Sequence, residues 1–157
     1  MNTLTKEPST RALSLHTDTP KPIKILVVED DKIQWPLWES ILKSAYSDVE
    51  IDWETTESGA EALLRHAFQN NKPYNLVVAD IFLEGRDTGI DLWNRYGEAA
   101  YNFIFVSGLS LKNFDALMST MTNFRTGGPF YLEKPVTPKL VKEVLNNLTI
   151  RKDVSSE

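Results

Sequence analysis

The 157-residue chain has no cysteine, which excludes disulfides and thiolate-held metals. It has no apolar run near the roughly 18 residues of a membrane helix, so no membrane association is expected. Basic residues are outnumbered, 17 Lys and Arg against 22 Asp and Glu, and form no cluster. Duplex binding depends on clustered cations that displace counterions from phosphates, so direct nucleic-acid contact is not expected either. The first 22 residues have no apolar signal-peptide core and carry Glu7 and Asp18, unlike most transit peptides, so the expected location is cytoplasmic.

What is present begins with a leader, residues 1–22, rich in Ser, Thr and Pro, with too little apolar surface to offset its ordering entropy. It reads as a flexible tail, residues 23–148 as one domain, and residues 149–157 as a second tail. IKILVV (23–28), bounded by PKP and EDD, has the β-branched apolar character of a strand buried on both faces. VEIDWE (49–54) alternates as a half-covered edge strand would, and NLVVADI, FIFVSG and PFYLEK supply three more strands.

Helical patterns fall between these runs. Ser58 to Gln69 places Ala60, Leu63, Leu64, Ala67 and Phe68 on one face, with Ser58 and Glu61 as the expected capping box. Leu111 to Phe124 carries a stripe of Leu111, Phe114, Leu117, Met118, Met121 and Phe124. A last helix follows Thr137 and Pro138, with Leu140, Val141, Val144, Leu145 and Leu148 on its apolar face. Pro36 sits early in the first helical segment, where its ring would strike the carbonyl four residues back, so that helix is expected to kink or to start late, near Trp35. Strand and helix in strict alternation imply a parallel α/β sheet with helices on both faces, and in such sheets ligands gather at the carboxyl ends of the strands.

That edge would collect Glu29, Asp30 and Asp31 after the first strand, Asp80 at the third, Ser107 and Gly108 at the fourth, and Glu133, Lys134 and Pro135 at the fifth. Singly, each has an ordinary reading as a helix cap, a turn or a loop. Jointly they place carboxylates, a hydroxyl and an ammonium where the topology converges, an arrangement that capping alone does not require. Two carboxylates about 4 Å apart repel by about 4 kcal/mol at an effective dielectric of 20, so Glu29, Asp30 and Asp80 call for a cation or a raised pKa. With oxygen donors only, Mg²⁺ fits best. Mg²⁺ beside a carboxylate, a lysine and a hydroxyl suits phosphoryl transfer, with Asp80 as nucleophile, Lys134 and Mg²⁺ neutralising phosphoryl oxygens, Ser107 donating to another, and the Phe82 carbonyl facing the metal.

With ILVVEDD (25–31), YNLVVADIFLEG (74–85), FVSG (105–108) and YLEKPV (131–136) in that order, the chain resembles the receiver domain of two-component response regulators over about Ile23 to Leu148. The resemblance implies a flavodoxin-like, doubly wound sheet of five parallel strands in the order 2-1-3-4-5, and a single-domain regulator without an output domain. It makes Asp80 the phosphoacceptor, Glu29 and Asp30 the acidic pair serving Mg²⁺, Phe82 the carbonyl ligand, Ser107 the switch hydroxyl, Tyr131 the switch aromatic, and Lys134 the phosphate-pairing lysine before a cis Pro135. The implied partners are a sensor histidine kinase or a histidine phosphotransfer protein as donor, and an effector reading the face of the fourth helix, fifth strand and fifth helix.

Glu84 stands where the family has proline, and RDTG carries an extra residue. Phe82 and Leu109 are apolar where family members often hold polar groups that orient water, which implies slow self-dephosphorylation. Two other readings compete: an adaptor of the same fold that is never phosphorylated, and a Mg²⁺-dependent phosphohydrolase with an aspartyl nucleophile. The intact acids, Ser107 and Lys134 speak against the first; against the second speaks Glu29-Asp30-Asp31, which lacks the pattern of an aspartyl nucleophile on the first strand with a general acid two residues on. Trp35, Trp38 and Trp93 read as core or interface side chains rather than a ligand box, with Trp38 and Trp93 available to a partner if exposed. His66 reads as solvated.

Overall fold

Five short apolar runs form the sheet: β1 (Ile23–Val28), β2 (Val49–Glu54), β3 (Leu76–Asp80), β4 (Phe103–Ser107) and β5 (Phe130–Glu133). All pairings are parallel and the order is β2-β1-β3-β4-β5. The structure is a computed structural model that describes residues 21–83, 88–119 and 129–148. α1 (Trp35–Ala45), α2 (Glu57–Gln69), α3 (Gly89–Tyr96) and α4 (Leu111–Ser119) fill the four crossovers, and α5 (Pro138–Asn147) follows β5. This is the expected doubly wound architecture.

Alternation along the strands divides the core in two. Leu26 and Val28 of β1, Val77 and Ala79 of β3 and Phe103 and Phe105 of β4 pack under α2, α3 and α4. Their neighbours Ile25, Val27, Leu76, Val78, Ile104 and Val106 pack under α1 and α5. Because both faces are covered, β3 and β4 are buried at every position. Each fully buried aliphatic side chain contributes roughly 1.5–3 kcal/mol over an exposed one.

The helix termini explain the local departures from expectation. Pro36 does delay α1: Asp31 caps a single 3₁₀ turn, Lys32–Gln34, and the α-helix begins at Trp35 with Pro36 in its first turn, where no backbone donor is lost. α2 is capped by Thr56, whose hydroxyl accepts from the Gly59 N–H at 3.1 Å, rather than by Ser58. Thr56 has the extended backbone a cap needs, whereas Ser58 is already helical, and the Glu61 carboxylate is drawn instead to Arg65 and Tyr96. Asn71, with φ of 50°, takes the left-handed conformation just past the end of α2.

Several residues of the expected stripes face outward. Phe68, Leu111, Leu117 and Leu140 are exposed, while Phe114 and Met118 carry the packing of α4 and Val141 and Leu145 that of α5. The remainder of the stripe of the fourth helix, Met121 and Phe124, lies outside the described residues, as do residues 1–20 of the leader and the tail 149–157. Trp38 and Trp93 are buried and therefore unavailable to a partner. Among the described residues no helix is long and apolar enough to cross a membrane.

Candidate functional site

Among the described residues, the buried polar or charged side chains are Glu29, Asp80 and Ser107, and all three stand at the carboxyl edge of the sheet. Register puts them there. Val28 pairs with Ala79, Asp80 with Val106, and Ser107 with Glu133, so the last residues of β1, β3, β4 and β5 are neighbours. Bonds just past the ladder extend that alignment: Ile81 N–H donates to the Val106 carbonyl at 3.1 Å, and Lys134 N–H to the Ser107 carbonyl at 2.8 Å.

Lys134 reaches the acids. Its Nζ donates to Asp80 Oδ2 at 2.6 Å and to Glu29 Oε2 at 3.3 Å, joining residues 54 and 105 positions apart. The other Asp80 oxygen, Oδ1, accepts from the Phe82 N–H at 3.0 Å. Glu29 Oε1 accepts from the Asp31 N–H at 3.0 Å. Charge-assisted bonds of this length are about twice as strong as neutral ones, and they fix both carboxylates without a mobile counterion. The peptide bond between Lys134 and Pro135 is cis, as expected.

Electrostatics follow from this packing. Burial pushes the Glu29 carboxyl above its ordinary range, and the charge on Asp80 adds to the rise, while the Asp31 N–H and Lys134 oppose it. Burial works against the Lys134 ammonium, yet its bonds to Asp80 and Glu29 win and hold its pKa above the ordinary value. Oxygens of Glu29, Asp30 and Asp80 lie within 4.8 Å of one another. An all-oxygen donor set of three carboxylates, one of them discouraged from ionising, fits a hard divalent cation. Thiolate-seeking metals have no ligand here.

Ser107 Oγ accepts from the Leu109 N–H at 3.2 Å, so the turn after β4 holds the hydroxyl at the site. Tyr131, half-buried, lies against Phe114 of α4, ring centroids 4.1 Å apart and planes 9° from parallel. Its hydroxyl donates to the Leu109 carbonyl and, at 3.3 Å, to that of Ser107. The aromatic is therefore turned inward and tied to the segment that carries the serine. Phe82 contributes its N–H to Asp80 while its ring stays exposed.

Three contributors escaped sequence reasoning. Gly89 opens α3 directly under the Asp80 carbonyl, where a Cβ would come within 2.3 Å of that oxygen. Thr88 and Asp91 form a reciprocal capping box that anchors α3, a signal legible in the T-x-x-D spacing of TGID. Trp35 donates its indole N–H to the Glu29 carbonyl at 3.1 Å, a contact between the start of α1 and the end of β1 that no motif marks.

No protein-family model matches the chain. It is similar to the two-component response regulator PprB of Pseudomonas aeruginosa, 28% identical over 128 residues, covering 81% of this chain and 44% of that protein. It is also similar to the 3′,5′-cyclic-nucleotide phosphodiesterase regA of Dictyostelium discoideum, 27% identical over 153 residues, covering 90% of this chain and 17% of that protein. The chain thus spans less than half the length of these curated relatives. Among solved structures, a CheY-like response regulator receiver domain protein from Methanospirillum hungatei superposes with a TM-score of 0.61 at 24% identity, covering 81% of this chain and 93% of that one.

Proposed function

The chain has the receiver-domain fold of two-component response regulators, and from that premise we propose that it is a phosphorylation-dependent signalling receiver with Asp80 as the phosphoacceptor. The observation that carries this reading is the 2.6 Å contact between Lys134 Nζ and Asp80 Oδ2, which aims a cation at the one carboxylate standing at the end of the central strand β3. A phosphohistidine on a sensor kinase or a phosphotransfer protein supplies the phosphoryl group. An Asp80 oxygen forms a bond to phosphorus, the phosphorus–nitrogen bond breaks, and the imidazole leaves with the electron pair.

Each neighbour has a task in that exchange. Lys134 offsets charge on the transferring oxygens, the Phe82 N–H holds Asp80 in place, and Ser107 exchanges its local contact for a phosphoryl oxygen. Glu29, Asp30 and Asp80, with the Phe82 carbonyl, are the residues that would hold Mg²⁺, which when bound neutralises phosphoryl oxygens. The phosphoryl group adds nearly two negative charges beside Ser107, and Tyr131 and α4 carry the change to an effector by protein contact.

The test is incubation with acetyl phosphate and Mg²⁺ followed by intact mass. The wild type gains one phosphoryl group, while Asp80→Asn and EDTA-treated samples gain none. No gain in the wild type overturns the reading and leaves the unphosphorylated adaptor in its place, and an equal gain in Asp80→Asn overturns Asp80 as the acceptor.

A further inference from the structure

We infer that Trp35 is a positioning residue for the cation site, its indole N–H clamping the backbone carbonyl of Glu29 so that the Glu29–Asp30 pair faces Asp80. The inference rests on the cation reading of the acidic cluster and adds to it a residue from outside that cluster.

The geometry begins with Pro36. Because proline is tolerated only in the first turn, the α-helix starts at Trp35 and its indole lies over the end of β1. There Nε1–H donates to the Glu29 carbonyl at 3.1 Å. The ring packs against Trp53 of β2, centroids 5.1 Å apart and tilted by 31°, and the Lys32 ammonium lies 5.4 Å from its centroid. Glu29 is consequently held at every polar atom. Its N–H donates to the Glu54 carbonyl at 2.9 Å, its carbonyl accepts from Trp35, Oε1 accepts from the Asp31 N–H, and Oε2 accepts from Lys134.

Of those four contacts, the carbonyl bond alone fixes the peptide plane that leads into Asp30. Without it the Glu29–Asp30 peptide can rotate, and the Asp30 carboxylate turns away from Asp80. Partners that orient ligands in this way typically change metal affinity by about 10- to 100-fold, and a contact made through backbone belongs at the lower end.

Trp35→Phe keeps a ring against Trp53 but removes the donor, while Trp53→Phe keeps the donor. Mg²⁺ affinity is read from the rise in melting temperature with Mg²⁺ concentration, which requires no phosphorylation. Trp35→Phe is expected to raise the apparent Mg²⁺ dissociation constant about tenfold. With acetyl phosphate it should raise the half-saturating Mg²⁺ by the same factor and leave the rate at saturating Mg²⁺ within about twofold, whereas Trp53→Phe should leave all three near wild type. An unchanged constant in Trp35→Phe, or an equal rise in Trp53→Phe, overturns the assignment.

The wild type provides a check that needs no variant to fold. The Trp35 indole resonance in a ¹H–¹⁵N spectrum should exchange slowly with solvent and shift with Mg²⁺ at the half-saturation of the thermal curve, and a resonance that never moves rejects the clamp. If Mg²⁺ does not stabilise the wild type at all, the cation reading falls and this assignment with it, an outcome distinct from a wild type that responds beside a Trp35→Phe that responds equally.

Discussion

Gly89→Ala is the most demanding test of how β3, the strand that ends in Asp80, is supported. Gly89 is the first residue of α3, so its backbone suits any amino acid and alanine would ordinarily stabilise the helix by up to about 1 kcal/mol. Space decides otherwise. An added Cβ falls 2.3 Å from the Asp80 carbonyl oxygen, 3.2 Å from its carbon and 3.4 Å from the Ile81 Cα, and all three are backbone atoms of the β3 end. No side chain can rotate away, so either α3 or β3 must shift, and overpacking of this kind costs about 1–3 kcal/mol, occasionally more. The clash therefore outweighs the helical gain, with a net loss of about 1–2 kcal/mol, or roughly 2–8 °C in Tm for a chain of this size. Because the displaced atoms belong to Asp80, phosphorylation by acetyl phosphate should slow as well. Urea midpoints at constant m-value measure the first effect and intact mass against time the second. Gly108→Ala is the control: its Cβ meets nothing within 4 Å and should cost little. A Gly89→Ala protein as stable as the wild type, or more so, would refute the close approach of α3 to β3.

Further predictions concern single groups. Tyr46 has a buried hydroxyl with no hydrogen-bond partner among the described residues, so Tyr46→Phe should raise stability by about 1 kcal/mol in a urea titration. Burial pushes the Tyr46 phenol up to about 12 against an ordinary value of 10. Its neutral form is the one the fold favours, so that contribution is complete below pH 10 and is lost as pH rises through 12, a decline that Tyr46→Phe should lessen. Lys134→Ala leaves Asp80 and Glu29 without their shared counter-charge and should cost roughly 2–3 kcal/mol, at or below the lower end for a broken buried pair because Lys134 is partly open to solvent. Mg²⁺ should restore much of that loss in thermal melts without restoring phosphorylation. Phe82→Asn, which places a polar group beside Asp80, should shorten the lifetime of the acyl phosphate followed by mass after removal of the donor.

The strands and the edge residues were legible because their signals are local. IKILVV, LVVAD and FIFVS are short β-branched or aromatic runs, and once they alternate with helices the topology brings their ends together whatever the intervening loops do. Thr137-Pro138 and Pro36 were legible for the same reason, since proline constrains its own turn. Caps and contacts settled by competition were not. Thr56 and Ser58 are equivalent by composition, and only the path of the chain out of β2 selects Thr56. Phe68 matches a helical stripe but sits in the last turn of α2 and is exposed. The Trp35 indole, the Gly89 approach and the Phe114–Tyr131 stack depend on distances between elements, which periodicity does not encode.

The charge at the edge also supports the proposal that a lysine and a divalent cation share one site. Glu29, Asp30 and Asp80 carry three potential negative charges within 4.8 Å, and Lys134 answers one of them. In the proposed transfer, a phosphoryl donor approaching that edge would bring roughly two more. At 4 Å and an effective dielectric of 20, each unanswered pair of like charges opposes the approach by about 4 kcal/mol, and a few such pairs exceed what contacts at the rim can supply. Burial raises the pKa of Glu29, but protonation there would weaken the Lys134 contact. A divalent cation removes the repulsion without that sacrifice. Lys134 is tied to both Glu29 and Asp80 on one side, leaving Asp30, on the turn that Trp35 is proposed to steady, as the least buried of the three acids and the one most open to a metal on the other.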